Sequence, residues 1–328
     1  MTLSKHGPGG TEVEIPWCHA LRCLRCRGPL VSTSGLLRCD ECAAEYPVDD
    51  GIPRFVSRDN YAVGFGYQWN RHRLTQLDSH SGMPISHDRV MGASGWSADE
   101  LQGKHLLECG SGAGRFTEVL CETGAIVTSF DISSAVHANA ASNRRFPNLR
   151  LVQASVYDLP FPEEFFDVLF CFGVIQHTPD VERTFKTLFR YLRPGGRFCV
   201  DVYAAMVAYT HPRHLLRPFT RRMPPARLYS LVEQTVPRLL PLSTALSAAP
   251  AVGPYLARLV PVANHRHLNL RDPQTIRNWS VLDTFDWLAP RYESPQPRRR
   301  LERWTRDLGL REVSIRRHRG LYVIHGVK

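Results

Sequence analysis

No stretch of this 328-residue sequence is long and apolar enough to cross a bilayer. The most apolar segment, Ala245 to Ala263, is broken by Pro250, Gly253, Pro254 and Pro261 and carries Arg258, which excludes a simple membrane span. The first twenty residues lack an apolar run of signal-peptide length, and Glu12 and Glu14 interrupt the start. Internal repeats and low-complexity tracts are also missing, so a repeat array is excluded. What remains is an ordinary globular composition, 43% hydrophobic and 22% charged. At this length two or three cooperative units are expected.

Acidic residues are scarce in one half only. From Ala204 to Lys328 there are 21 Lys and Arg against 8 Asp and Glu, while the rest of the chain is slightly acidic. Arginine supplies nearly all of this excess. A basic half suits an anionic partner such as nucleic acid, a membrane surface or a phosphorylated or carboxylated substrate, and does not choose among them. An arginine-rich composition without function gives the same pattern.

Of nine cysteines, four form two close pairs, Cys23-Leu-Arg-Cys26 and Cys39-Asp-Glu-Cys42, separated by twelve residues. Two such pairs on tight turns place four thiolates around a tetrahedron, the geometry of a structural zinc ion with no open position. Gly28-Pro29 and Ala43-Ala44 are read as the room each pair needs to turn. Short strands, Leu30 to Ser32 and Leu36 to Arg38, complete a ribbon of about fifty residues, too small to stand on a core alone. Cys18, Cys109, Cys121, Cys171 and Cys199 mostly fall in apolar segments, where a thiol behaves as a small hydrophobe. That usage fits a reducing, cytoplasmic setting. The run from Leu21 through Tyr46-Pro-Val-Asp-Asp-Gly-Ile-Pro53 resembles the small zinc-ribbon proteins that activate translation-factor and tRNA methyltransferases, over residues about 21 to 56.

His105-Leu-Leu-Glu108-Cys-Gly110-Ser-Gly112-Ala-Gly114-Arg115-Phe reads as a short strand, a glycine turn and the start of a helix. Taken alone it would also suit a dinucleotide. Glu108 ahead of the glycines favours a cationic ligand, through a charge-assisted bond to an ammonium. Asp131 ends a second apolar strand 21 residues after Gly110, where a ribose diol would be gripped. Downstream come Leu149 to Ala154, Asp158-Leu-Pro-Phe161, Phe165 to Cys171, Gln176-His-Thr-Pro-Asp180 and Leu192-Arg-Pro-Gly-Gly196. In this order the motifs resemble the class I S-adenosylmethionine-dependent methyltransferases, over residues about 104 to 203 and again about 297 to 328.

The resemblance implies an α/β fold: a Rossmann-like seven-stranded methyltransferase sheet with helices on both faces, an N-terminal zinc ribbon and a helical cap insertion. The expected division is 1–58 for the ribbon, 59–103 for N-terminal lid helices, 104–203 with 295–328 for the Rossmann-like domain, and 204–294 for the cap. It also implies S-adenosylmethionine as cofactor, beside the zinc held by Cys23, Cys26, Cys39 and Cys42. Glu108, Gly110, Gly112 and Gly114 would take the amino-acid end and backbone of that cofactor, Asp131 the ribose and Ile132 the adenine. Ser155, where the family usually has Asp, would meet the adenine amino group, and Val156 the ring edge. Phe172 and Gly173 would floor the sulfonium, although Phe172 and Ile132 also suit a plain core.

His177 follows the fourth strand, where a base would be needed for an alcohol, phenol or acidic carbon; a loop-stabilising histidine is the alternative. Tyr67, Gln68 and Trp69, in an aromatic and arginine-rich segment, are candidates to fold over the cofactor, with Arg73 or Arg89 on its carboxylate. A helix that only docks the ribbon would look the same. Asp283 to Tyr292 is the most polar-aromatic part of the cap. The expected activity is methyl transfer to a small-molecule acceptor: a metabolite, sugar, natural product or lipid-like compound. Ribosomal or transfer RNA is the alternative acceptor, favoured by the ribbon and the basic half. No Asn/Asp-Pro-Pro-Tyr-type motif follows the fourth strand, which counts against it. A non-catalytic cofactor-binding scaffold is the third reading.

Overall fold

In the chain's computed structural model, residues 15–33, 35–57, 60–205, 211–265, 268, 270, 272–318 and 320–328 are described. Two sheets organise them. The small one orders β1 (Leu30–Thr33), β2 (Leu36–Cys39), β3 (Glu45–Asp49) and β4 (Ile52–Pro53) as an antiparallel meander. The large one contains β5 (His105–Cys109), β6 (Ile126–Asp131), β7 (Leu149–Gln153), β8 (Phe166–Cys171), β9 (Leu192–Tyr203), β10 (Arg311–His318) and β11 (Leu321–Val327). Its order is β10-β11-β9-β8-β5-β6-β7, with β11 antiparallel to both neighbours and the four pairings from β9 to β7 parallel. This is the seven-stranded Rossmann-like sheet expected above.

Parallel strands covered on both faces need apolar residues at consecutive positions. Leu106 and Leu107 show why: adjacent in sequence, they enter different buried clusters on opposite faces of β5. On one face pack α3 (Ile85–Ser94), α4 (Ala98–Leu101) and α5 (Arg115–Glu122). On the other lie α7 (Val181–Tyr191) and α12 (Arg298–Asp307), through Phe185, Leu188, Leu301 and Trp304. α6 (Ala135–Asn143) joins β6 to β7. The fifth strand starts earlier than its apolar core at Phe198: Leu192 already pairs with Phe166, and the register shifts before Val168 meets Arg197.

The ribbon belongs to the same apolar body as the sheet. Leu21, Leu30, Leu37 and Phe55 share one buried cluster with Val152, Phe161 and Phe166. Arg54 bridges Gln153 beside edge strand β7, and Arg27 Nη2 pairs with Asp158 at 2.7 Å. The residues that turn each cysteine pair are Arg27 and Ala43, at φ 64° and 56°. A Cβ at Gly28 would meet only the end of the exposed Glu41 side chain, at 2.5 Å, which can swing away.

Ahead of β5 come α1 (Val63–Arg71) and α2 (Asp78–Ser81), and the cap between β9 and α12 is helical as expected. It contains α8 (Arg213–Thr220), α9 (Pro225–Ser247), α10 (Gly253–Ala257) and α11 (Pro273–Leu288). Val232, Val236, Val281 and Phe285 give it a small core of its own.

Candidate active site and cysteine cluster

A cavity of about 280 Å³ opens at the C-terminal ends of β5, β6 and β8, between the sheet, α1 and α11. Ligands of open parallel sheets sit outside these strand ends. Gly110, Ser111, Gly112 and Ala113 form one wall, Asp131, Ile132, Ala154 and Val156 a second, and Phe172, Gly173 and His177 a third. Phe65 and Trp69 close it from α1, and Asp283, Asp286 and Trp287 from α11.

The glycine turn is shaped for close approach. Gly110 has φ +79°, and a Cβ there would stand 2.1 Å from Val174. At Gly112, φ +50°, a Cβ would press on the Trp69 ring at 3.2 Å. Gly114 has another task. At φ +90° it begins α5, and a Cβ would collide with Asn139 and Asn143 at 2.3 and 2.2 Å. It packs the turn onto α6 and is not part of the cavity wall.

Asp131 lies on the wall with both oxygens engaged. One accepts the Ser133 N–H and Oγ–H, each at 2.8 Å, and the other accepts the Gly112 N–H at 3.1 Å. Burial pushes its carboxyl above the usual aspartate range, against the pull of these donors. The aspartate therefore ties the end of β6 to the glycine turn.

Besides Gly114, three more expected contacts are not on the wall. Glu108 is fully buried and accepts the Thr117 hydroxyl at 2.5 Å; burial raises its pKa to about 7. As a strand residue it faces away from the cavity, which its neighbour Cys109 lines. Ser155 Oγ accepts the Tyr157 N–H at 3.3 Å and stabilises the turn after β7, leaving Val156 to reach the cavity. Tyr67 packs against Tyr229 and Phe285 in the cap. It sits two residues from Trp69, on another face of α1, whereas Phe65 four residues back shares the Trp69 face.

Among the remaining candidates, Gln68 donates to Asp286 at 3.0 Å and is buried. Arg73 reaches the Ala141 carbonyl, at 3.5 Å, and does not line the cavity, whereas Arg89 lines it and pairs with Asp201 at 2.6 Å. Asp201 also accepts the Gly173 N–H at 2.6 Å. A residue that sequence reasoning missed is Arg115, the first residue of α5. Its guanidinium donates to Gln76 Oε1 at 2.7 Å and Ser86 Oγ at 3.1 Å, both neutral, beside the Phe116 ring. Burial, and Arg89 nearby, pull its pKa down to about 9. Its place directly after the glycine turn was the available signal.

His177 has one nitrogen committed and one without a partner. Nδ1 lies 3.1 Å from the Tyr292 carbonyl oxygen. A carbonyl only accepts, so in the neutral ring Nδ1 bears the hydrogen and Nε2 keeps its lone pair. Nε2 is buried without a hydrogen-bond partner, and the residue lines the cavity. Phe65 and Tyr203 hold the ring at centroid distances of 5.5 and 5.3 Å. Burial raises the carboxyls of Asp286 and Asp201 above the usual aspartate range.

Away from this cavity, the Sγ atoms of Cys23, Cys26, Cys39 and Cys42 all lie within 4.8 Å of one another. Zn–S bonds of 2.3 Å arranged tetrahedrally need sulfurs about 3.8 Å apart, so the donor set fits zinc. The Arg25 N–H points at Cys23 Sγ (3.3 Å) and the Gly28 N–H at Cys26 Sγ (3.4 Å), donors that favour thiolates.

Residues 107–200 match the family model described as "Methyltransferase domain". The chain is 33% identical over 162 residues to a demethylmenaquinone methyltransferase of Tropheryma whipplei, covering 48% of this chain and 59% of the relative. It is 33% identical over 100 residues to a ubiquinone biosynthesis O-methyltransferase of Coxiella burnetii, covering 30% and 42%. The chain thus spans about half the length of these curated relatives. A magnesium protoporphyrin IX methyltransferase from Synechocystis, solved with bound SAH, is a distant likeness at TM-score 0.45 and 13% identity, covering 82% of this chain and 96% of that one.

Proposed function

We propose that this chain, whose residues 107–200 are a methyltransferase domain, transfers a methyl group from S-adenosylmethionine to a hydroxyl group of a small molecule. One observation carries the reading: a single cavity is lined by the glycine turn, by Asp131 and by His177, whose buried Nε2 has no hydrogen-bond partner. The close-approach glycines fit the cofactor's backbone, Asp131 its ribose, and Ile132 and Val156 its adenine. Arg115, with neutral partners and a buried guanidinium, is placed for its carboxylate. When bound, the cofactor supplies a sulfonium-borne methyl group that is already electrophilic, so the protein's work is alignment and exclusion of water.

The acceptor hydroxyl would lie near His177. Its proton passes to Nε2 as the oxygen attacks, and the imidazolium that forms is stabilised by Asp286, Asp201 and the Tyr292 carbonyl. Phe65, Trp287 and Phe172 keep water out. Both relatives' names support a small-molecule acceptor, and the one named as a ubiquinone biosynthesis O-methyltransferase supports a hydroxyl. A cavity roofed by α11 favours that class over RNA, and a lone pair held ready at Nε2 weighs against an idle scaffold. Cys23, Cys26, Cys39 and Cys42 would hold a structural zinc that staples the ribbon.

The test is turnover with radiolabelled methyl donor, offered small-molecule extract and RNA fractions in parallel. Label entering an organic-soluble or small polar product supports the proposal. Label entering only RNA, or none in any fraction, contradicts it.

A further inference from the structure

Eight of the ten large apolar side chains exposed among the described residues fall between 215 and 259, in the cap. The helix α8 explains part of this, because it is turned inside out. Its arginines face inward: Arg213 and Arg217 pair with the buried Glu293 at 2.7 and 3.0 Å. Arg217 also donates to the Trp287 and Pro290 carbonyls at 2.8 and 2.9 Å, and Thr220 Oγ1 to the Leu288 carbonyl at 2.9 Å. The Trp287 and Leu288 carbonyls end α11 and Pro290 follows it, the place on a helix where a cation is favoured. The polar face of α8 is thus locked onto the end of the cavity roof. Its apolar face is left to solvent, with Leu215 77% and Phe219 73% exposed, one helical turn apart.

The long helix α9 presents a mixed face. Arg227, Leu231, Arg238 and Leu242 are all exposed, and their spacing keeps them within about 60° of arc. Around α10, Tyr255 and Leu259 are also exposed. Between residues 211 and 260 there are seven arginines and one acid, Glu233. Arg221 and Arg222 add exposed positive charge beside Phe219.

We propose that the exposed apolar side of α8, with the arginine-rich cap helices that follow it, docks on the surface of an anionic phospholipid bilayer. Leucine and arginine interleaved on one helical stripe suit a lipid interface, where the apolar atoms enter the acyl boundary and the guanidinium reaches headgroup phosphates. Seven arginines against one acid between residues 211 and 260 would repel a second copy of the same basic face, and a phosphate backbone gives no place to Leu215 and Phe219. No described helix is long and apolar enough to cross a membrane, so the contact is peripheral.

The test is flotation of the full chain with vesicles of phosphatidylcholine alone and of an equal mixture with phosphatidylglycerol. The chain should float with the mixed vesicles at low salt, stay behind with phosphatidylcholine, and be released by high salt. Leu215→Ser with Phe219→Ser should weaken the partition about tenfold or more without lowering the melting temperature, since both side chains are exposed. Val31→Ser, on the exposed side of the ribbon, should float as the parent does. Failure of the parent to float with anionic vesicles would overturn the proposal. So would unchanged flotation of the double variant, or a dimer in sedimentation that the double variant dissociates, which would assign the face to a second copy. Vesicle binding needs no cofactor, so its outcome is separable from that of the methyl-transfer reading.

Discussion

His177 Nδ1 stands 3.1 Å from the backbone oxygen of Tyr292, a residue 115 positions away at the end of the cap. The cap therefore sets the tautomer of a histidine that belongs to the sheet. His177→Ala should lower kcat about 100-fold or more, in the range of a lost general base, with cofactor affinity unchanged within about twofold. Steady-state kinetics beside calorimetry of cofactor binding separates the two quantities. Full activity in the variant would reduce His177 to a packing residue.

Asp131 holds the turn through the Gly112 N–H and faces the cavity. Asp131→Ala should weaken cofactor binding by about tenfold or more, since charge-assisted hydrogen bonds are lost. The melting temperature should fall as well, because the Ser133 and Gly112 donors lose their acceptor. An unchanged dissociation constant would remove Asp131 from the ribose assignment.

Much of this arrangement was legible because it is local. The apolar run at Leu106 and Leu107, the glycine turn and the acid ending β6 lie within thirty residues of one another, so strand and turn chemistry sufficed. Zinc-ligand spacing needed no tertiary information either. The less legible contacts were matters of facing. Glu108 and Cys109 differ by one position, and only the packing of α5 decides which of them meets the cavity. Tyr67 and Trp69 are both aromatic residues on one helix, and aromatic richness does not say which face a cap will take. Phe65, four residues from Trp69, was within reach of helical spacing. Asp286 and Trp287 arrive from more than a hundred residues beyond His177, through a cap whose docking rests on Arg217 and Glu293.

Metal analysis of the purified chain should find one zinc per molecule, lost in Cys39→Ser. The ribbon shares its buried cluster with β7 and β8, so chelation should lower the melting temperature of the whole chain. A ribbon that keeps its fold and stability without metal would contradict the four-thiolate assignment.

Glu108 gives a pH dependence of stability. Its folded pKa, about 7, lies above the unfolded value of about 4.3, so the folded state holds a proton that the unfolded state has released. Stability should fall as pH rises from about 4.3 to about 7 and level off above, where both states are ionised. Glu108→Gln should remove this component of the slope in urea titrations across that range. An identical pH dependence in the variant would show that the buried carboxyl does not titrate as described.

The central claim is that the glycine turn and Asp131 receive an S-adenosyl nucleoside. Calorimetric titration of the folded chain with S-adenosylhomocysteine tests it most directly. The account predicts one binding site per chain, weakened in Asp131→Ala and retained in His177→Ala. Absence of binding to the folded parent chain would contradict it.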